Sequence, residues 1–259
     1  MGDTLGFIDS HAHLTCKELV DQDAVDDIVG RAHDSGVEAI VNICTDEDSL
    51  QKGLDLHKKY SWIYNAAATT PHDVEKDGEA FFPVVEKHAR DGAIVAIGET
   101  GLDYHYNYST PEIQRDFFRR YLRLAKTYGL PVIIHCREAF DDLFSIADEE
   151  YRGLPAVLHC FTGTMSDAEK VLDRGWYISL SGIVTFKRSD DLRKVAEMVP
   201  LGRLLIETDT PYLAPQKYRG QKNEPAYVIE VADTIARIKN IPRNIIAEET
   251  SANARALFL

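Results

Sequence analysis

Eight short apolar runs, each followed by an amphipathic stretch, recur along this chain, and that alternation implies a parallel sheet wrapped in helices. In order the runs are FIDSHAHL, AIVNIC, WIYNAAATT, AIVAIGET, PVIIHCR, AVLHCF, YISLSGIVTF and LLIETD. They are rich in β-branched residues, as strands buried on both faces are. Helical patterning occupies residues near 21–35, 46–60, 78–91, 111–128, 138–149, 166–174, 189–198 and 225–239, and a last helix runs from about 243 to 257. Eight repeats in 259 residues fit a (β/α)8 TIM barrel, one α/β domain over residues 1–259. A doubly wound open sheet would carry a glycine-rich phosphate turn after its first strand; this chain continues HAHLTCKEL.

Bulk properties suit one enzyme domain. The chain is 44% hydrophobic, enough to bury a sizeable core, and no apolar run approaches the length of a membrane span. MGDTLGFIDSHAHL shows no secretory pattern, and Gly6 weakens its likeness to a myristoylation signal. Cys16, Cys44, Cys136 and Cys160 form no CxxC pair. Cys136 and Cys160 follow His135 and His159 directly, so strand alternation sends them to the helix layer if the histidines point inward. They read as reduced core thiols of a cytoplasmic protein. A net charge of −13 excludes a general polyanion binder, but not an anionic substrate received by metals and local cations.

Six residues with metal-binding side chains sit at or near the C-terminal ends of five of the runs: His11, His13, Glu99, His135, His159 and Asp209. In a parallel barrel those ends form the active-site face. His11 and His13, two apart on one strand, face the same way and make a bidentate claw. Asp209 lies on the eighth strand, which neighbours the first once the barrel closes. His135 and His159 occupy equivalent ends of successive strands and suggest a second metal. Glu99, on the strand beside His135, has two oxygens and can bridge two ions about 3.5–4 Å apart. Mixed imidazole and carboxylate donors admit zinc, manganese or magnesium, and burying them all without a metal would be costly.

Further residues earn roles by position. Glu207 shares the inward face with Asp209, one step deeper, where it can orient a ligand histidine or pair with a core arginine. Asp103 and His105 belong to the loop after the fourth strand and contact substrate or water, or cap the loop. Arg137 shares the face of His135. The stretch 211–225 overhangs the mouth. There Lys187, Arg188, Lys217, Arg219 and Lys222, with Phe161, Phe186, Tyr212 and Tyr218, suit a phosphate backbone and stacked bases if they gather at the rim.

DSHAHL, GETGLDYHY, PVIIHCREA, HCFTG and LLIETDTPYLAP, with RGQKNEP and NARALF, resemble the TatD family of metal-dependent deoxyribonucleases in order and across nearly the whole chain. The resemblance implies a metal-dependent hydrolase barrel with two divalent ions per subunit, Mg, Mn or Zn. His11, His13 and Asp209 then hold the first, Glu99 bridges, and His135 and His159 hold the second. Glu99 stands where many related barrels carry a modified lysine, which disfavours dihydroorotase-like chemistry. The resemblance further implies 3′–5′ exonuclease action on DNA, with single-stranded ends as partner and no membrane or obligatory protein partner expected. Other hydrolytic activities, including D-aminoacyl-tRNA deacylation, are the alternative, and a non-enzymatic interaction module is a distant third. The expected mechanism is phosphodiester hydrolysis by metal-activated water, with Asp209 as general base and Glu99 as bridging catalytic carboxylate.

Overall fold

The computed structural model describes residues 6–19, 22–106 and 108–259. Residues 1–5, which carry the targeting question, lie outside the described residues, as do Val20, Asp21 and Asn107. Strands and helices alternate as β1 Phe7–Ala12, α1 Gln22–Asp34, β2 Val37–Cys44, α2 Glu47–Lys59, β3 Ile63–Ala67, α3 Val74–Arg90, β4 Ala96–Asp103, α4 Pro111–Tyr128, β5 Val132–Arg137, α5 Phe140–Glu150, β6 Ala156–Leu158, α6 Met165–Asp173, β7 Tyr177–Leu180, α7 Asp190–Met198, β8 Leu204–Ile206, α8 Val228–Lys239 and α9 Arg243–Phe258. The strands pair in parallel in chain order. β1 meets the segment after β8 through the Ala12–Thr210 bridge and the bonds His13 N–H to Thr210 O (2.7 Å) and Asp209 N–H to His11 O (2.9 Å). That closure makes the sheet a barrel.

Local chemistry explains where the helices start and stop. Asp46 and Ser49 form a reciprocal cap on α2, as Thr164 and Asp167 do on α6. Pro111 opens α4 and left-handed Gly129 ends it. α4 buries Phe117, Phe118, Tyr121, Leu122 and Leu124, each worth about 1.5–3 kcal/mol if fully removed from water. Most apolar residues fill the layer between sheet and helices. A smaller cluster fills the barrel itself: Ile8, Val41, Ile43, Ile133, Val157 and Leu205 meet Leu257 and Phe258 of α9. α9 therefore stoppers the N-terminal end, and the C-terminal end holds a cavity of about 870 Å³.

Two expectations need correcting. Asp103 is not in a loop but ends β4, fully buried, because that strand runs past Glu99. Cys160 does not join the helix layer. β6 ends at Leu158, Cys160 takes a left-handed φ of 43°, and its thiol lies 3.2 Å from the Ser181 hydroxyl on the cavity wall. Strand alternation no longer applies there, whereas Cys136 packs against the outer layer and also borders the cavity.

Candidate metal centre

β1 turns its histidines inward through an irregularity. Ile8 fills the barrel and Phe7 the outer layer, so strict alternation would send His11 outward. The register with β2 shifts between Asp9 and Ala12, and His11 and His13 both reach the cavity end. β4 repeats the device. Ala96 faces in and Ile97 out, the register with β5 shifts between Ile97 and Thr100, and Glu99 enters the site. The shift requires close strand approach: a Cβ on Gly101 (φ 147°) would lie 2.0 Å from the His135 carbonyl oxygen. His135, His159 and Glu207 follow the alternation of the interior residues Ile133, Val157 and Leu205, and Asp209, beyond the end of β8 with a φ of 61°, turns into the cavity from the following segment.

The six candidate ligands converge in two overlapping sets. His11 Nε2 and His13 Nε2 are 3.2 Å apart. Each lies 3.6 Å from Glu99 Oε2, and they stand 3.7 and 3.5 Å from Asp209 Oδ1. The other Glu99 oxygen, Oε1, is 2.9 Å from both His135 Nδ1 and His159 Nε2, which are 3.3 Å from each other. Donors about 2.0–2.2 Å from a tetrahedral ion sit roughly 3.3–3.6 Å apart. The first set is close to that spacing, the second is drawn to hydrogen-bond distance around Glu99 Oε1 and would open slightly to hold a divalent cation, and Glu99 turns one oxygen to each set. The rings of His11 and His159 stack at 3.8 Å, joining the sets face to face.

The surroundings orient these donors. His135 Nε2 is 2.9 Å from Asp103 Oδ2, so Asp103 holds the proton on Nε2 and leaves Nδ1 free as a ligand atom. Asp103 also accepts from His72 Nε2 at 3.0 Å. Glu207, fully buried, accepts from the Cys160 N–H at 2.7 Å and lies 3.4 Å from His159 Nδ1. No arginine pairs with it among the described residues, and its other oxygen and His159 Nδ1 are buried without a hydrogen-bond partner. Asp9 accepts from Thr208 N–H at 2.9 Å, Thr208 Oγ1 at 2.6 Å and His11 N–H at 3.3 Å, tying β1 to the turn that carries Asp209. Asn223 closes that turn from the other side by donating to the Thr208 and Tyr212 carbonyls, both at 2.7 Å.

Electrostatics favour ionised carboxylates. Burial opposes ionisation of Glu99, but the charge of His159 and hydrogen bonds from His11, His135 and His159 hold its carboxyl well below the usual range. Burial likewise opposes ionisation of Asp103, and the bonds from His135 and His72 outweigh it and lower its pKa. His13, His135 and His159 are raised despite burial by their carboxylate neighbours, whereas burial and the charge of His159 lower His11.

The remaining expectations divide. Arg137 lines the cavity. His105 turns away, bonding Glu138 at 2.8 Å, and caps the loop through its N–H to Asp103. The cationic rim does not assemble as expected. Phe161 is buried, Tyr218 stacks on Tyr227 at 3.8 Å, and Arg219 lies over Phe186. Lys217 pairs with Glu230 and Lys222 with the Glu18 carbonyl, while Lys187 and Arg188 stay exposed. From the 211–225 stretch only Tyr212 and Leu213 line the cavity. Sequence reasoning missed His72, Asp9 and Asn223. His72 closely follows the AAATT end of β3, so the strand-end rule that found the ligands would have found it too.

A family model described as TatD related DNase matches residues 8–259. The chain belongs to that family. Among TatD relatives, an uncharacterized metal-dependent hydrolase of Buchnera aphidicola is 37% identical, covering 97% of this chain and 98% of its own length. YabD of Bacillus subtilis, also described as an uncharacterized metal-dependent hydrolase, is 38% identical over 96% of this chain and 98% of its own. The 3′–5′ ssDNA/RNA exonuclease TatD of Salmonella typhimurium is 36% identical over 90% and 92%. The crystal structure of YjjV, a TatD homologue of Escherichia coli, superposes with a TM-score of 0.91 at 28% identity, covering 98% of both chains. The protein is thus a metal-dependent hydrolase of the TatD family with a TIM-barrel fold.

Proposed function

We propose that this protein hydrolyses phosphodiesters of single-stranded DNA from the 3′ end, using two divalent cations, as a single barrel domain of the cytoplasm. The observation that carries the reading is Glu99, whose two oxygens face two separate histidine sets. His11, His13 and Asp209 with Glu99 would hold one ion, and His135 and His159 with Glu99 the other. Such ions lower the pKa of a water toward neutrality and offset phosphate charge; zinc, manganese and magnesium all suit the donors. Asp209, at the cavity edge beside His13, is placed to accept the proton of the attacking water. Arg137 stabilises charge developing on the phosphate from the cavity wall. Asp103 and Glu207 hold the His135 and His159 rings in register. The polarity and the preference for single strands follow the Salmonella relative's described action.

The test is an activity panel of each metal against single-stranded DNA, duplex DNA, RNA and D-aminoacyl-tRNA, with metal content measured beside it. Fastest turnover of single-stranded DNA with two ions per chain supports the reading. Turnover confined to the aminoacyl ester reassigns the same site to ester hydrolysis. One ion per chain in the active enzyme removes the dinuclear mechanism.

A further inference from the structure

Among the described residues, the exposed large apolar side chains are Tyr106, Tyr108, Tyr212 and Leu259. Single exposed tyrosines are ordinary, but Tyr106 and Tyr108 are organised. Their rings stack at 5.4 Å with 14° between planes. His72 meets both edge-on, at 5.6 Å and 5.7 Å, and meets the ring of His135 at 5.6 Å. The Arg137 guanidinium lies over the Tyr106 ring at 4.9 Å and, among the described residues, makes no ion pair. The segment is anchored too: Tyr106 N–H donates to Asp103 Oδ1 at 3.0 Å, the carboxylate whose other oxygen holds His135. The stack is thus tied to the second ligand set by a chain of direct contacts, with Tyr108, 68% exposed, as its outer layer.

We propose that Tyr106 and Tyr108, with Arg137 beside them, form a subsite that stacks one unpaired nucleobase of the substrate a nucleotide or two from the scissile phosphate. The assignment rests on the nuclease reading above and names the wall of the mouth that holds the strand. Every base has a π-face, so the subsite is indifferent to sequence but needs a base free of its own stack. Arginine stacked on an aromatic face keeps its N–H edges available for a phosphate, which suits the linkage next to the seated base. A pre-stacked pair held by His72 loses little freedom on binding.

The test is a thermodynamic cycle on KM for end-labelled single-stranded oligonucleotides carrying one abasic nucleotide at successive positions from the 3′ end. Base–aromatic stacking predicts that, in the wild-type enzyme, one such position raises KM by about 5–150-fold. In Tyr106→Ala/Tyr108→Ala the intact oligonucleotide should already show that increase, and the abasic substitution should add nothing. Tyr108→Ala alone should give part of the effect, and Tyr108→Trp should restore sensitivity to the abasic position. Circular dichroism checks the fold of each variant. An unchanged KM in the double variant, or variant and abasic effects that multiply independently, overturns the subsite and leaves the nuclease reading standing. A wild-type enzyme that cleaves no oligonucleotide overturns the nuclease reading, and the subsite with it.

Discussion

Asp209 is held in place by backbone as much as by side chain. Its φ of 61° lies in the left-handed region, which costs most residues about 1–2 kcal/mol and aspartate less. Asp9, accepting from the Thr208 N–H, and Asn223, donating to the Thr208 carbonyl, hold the residue before it. Asp209→Asn keeps the shape but offers a poor base and a weaker ligand, so activity should fall about 10²–10⁴-fold with circular dichroism unchanged. A rate within a few-fold of wild type would remove the assigned role. The histidines carry a pH prediction. In metal-free protein, His13, His135 and His159 are raised above their ordinary value, so their contribution to stability is complete below about 6.5 and fades as pH rises through the folded values. Glu99, lowered, contributes constantly above its unfolded value, and His11, lowered, is neutral in both states above pH 7. Metal needs the neutral rings, so its affinity rises over the same range. The difference in Tm between metal-loaded and EDTA-treated protein should therefore widen from pH 7 to 9, and calorimetry should detect proton release on metal uptake. A difference that narrows with pH would contradict the ligand set.

Elements decide what the sequence could and could not disclose. His135, inside β5, faces inward as a period of two requires, and His159 and Glu207 extend the period by one residue past β6 and β8, whereas Asp209 reaches the cavity from a left-handed residue beyond β8. The period alone would have turned His11 and Glu99 outward, and they were found because their chemistry sits at strand ends. The register shifts that admit them depend on contacts between strands, which no single strand reveals. The rim failed for a related reason. Cations such as Lys217 and Arg219 are close to the mouth in sequence, yet helix α8 and Phe186 claim them. The glycines of AIGETG, by contrast, do mark the β4 irregularity. Gly101→Ala places a methyl against the β5 backbone at the residue that carries His135. It should destabilise the fold by about 1–3 kcal/mol or more, by denaturant unfolding, and lower metal affinity with it. Unchanged stability and metal content would show that β4 can retreat without disturbing the site.

At the scale of the molecule, the barrel has one open end. α9 closes the other with Leu257 and Phe258, so substrate enters a cavity of about 870 Å³ from the mouth alone. Lys17 and Arg137 line that mouth among the acids Glu18, Asp46 and Asp73, and the whole chain carries −13. Affinity for duplex DNA rests on many phosphate contacts made by cations, and this surface does not supply them. The buried ligand sets lie below the rim, with Glu99 and Asp209 under 10% exposed, so a stiff duplex cannot bring its backbone down to them. On the proposed reading a strand terminus can, held by a stacked base and an arginine rather than by a basic track. The protein should therefore shorten single-stranded oligonucleotides one nucleotide at a time, slow markedly on duplex ends, and stop when the 3′ end is blocked. A time course on end-labelled strands reads the first three outcomes. A covalently closed single-stranded circle, which offers bases and phosphates but no terminus, isolates the geometric claim: it should survive intact, and efficient cutting of it would show that the mouth admits a strand from the side.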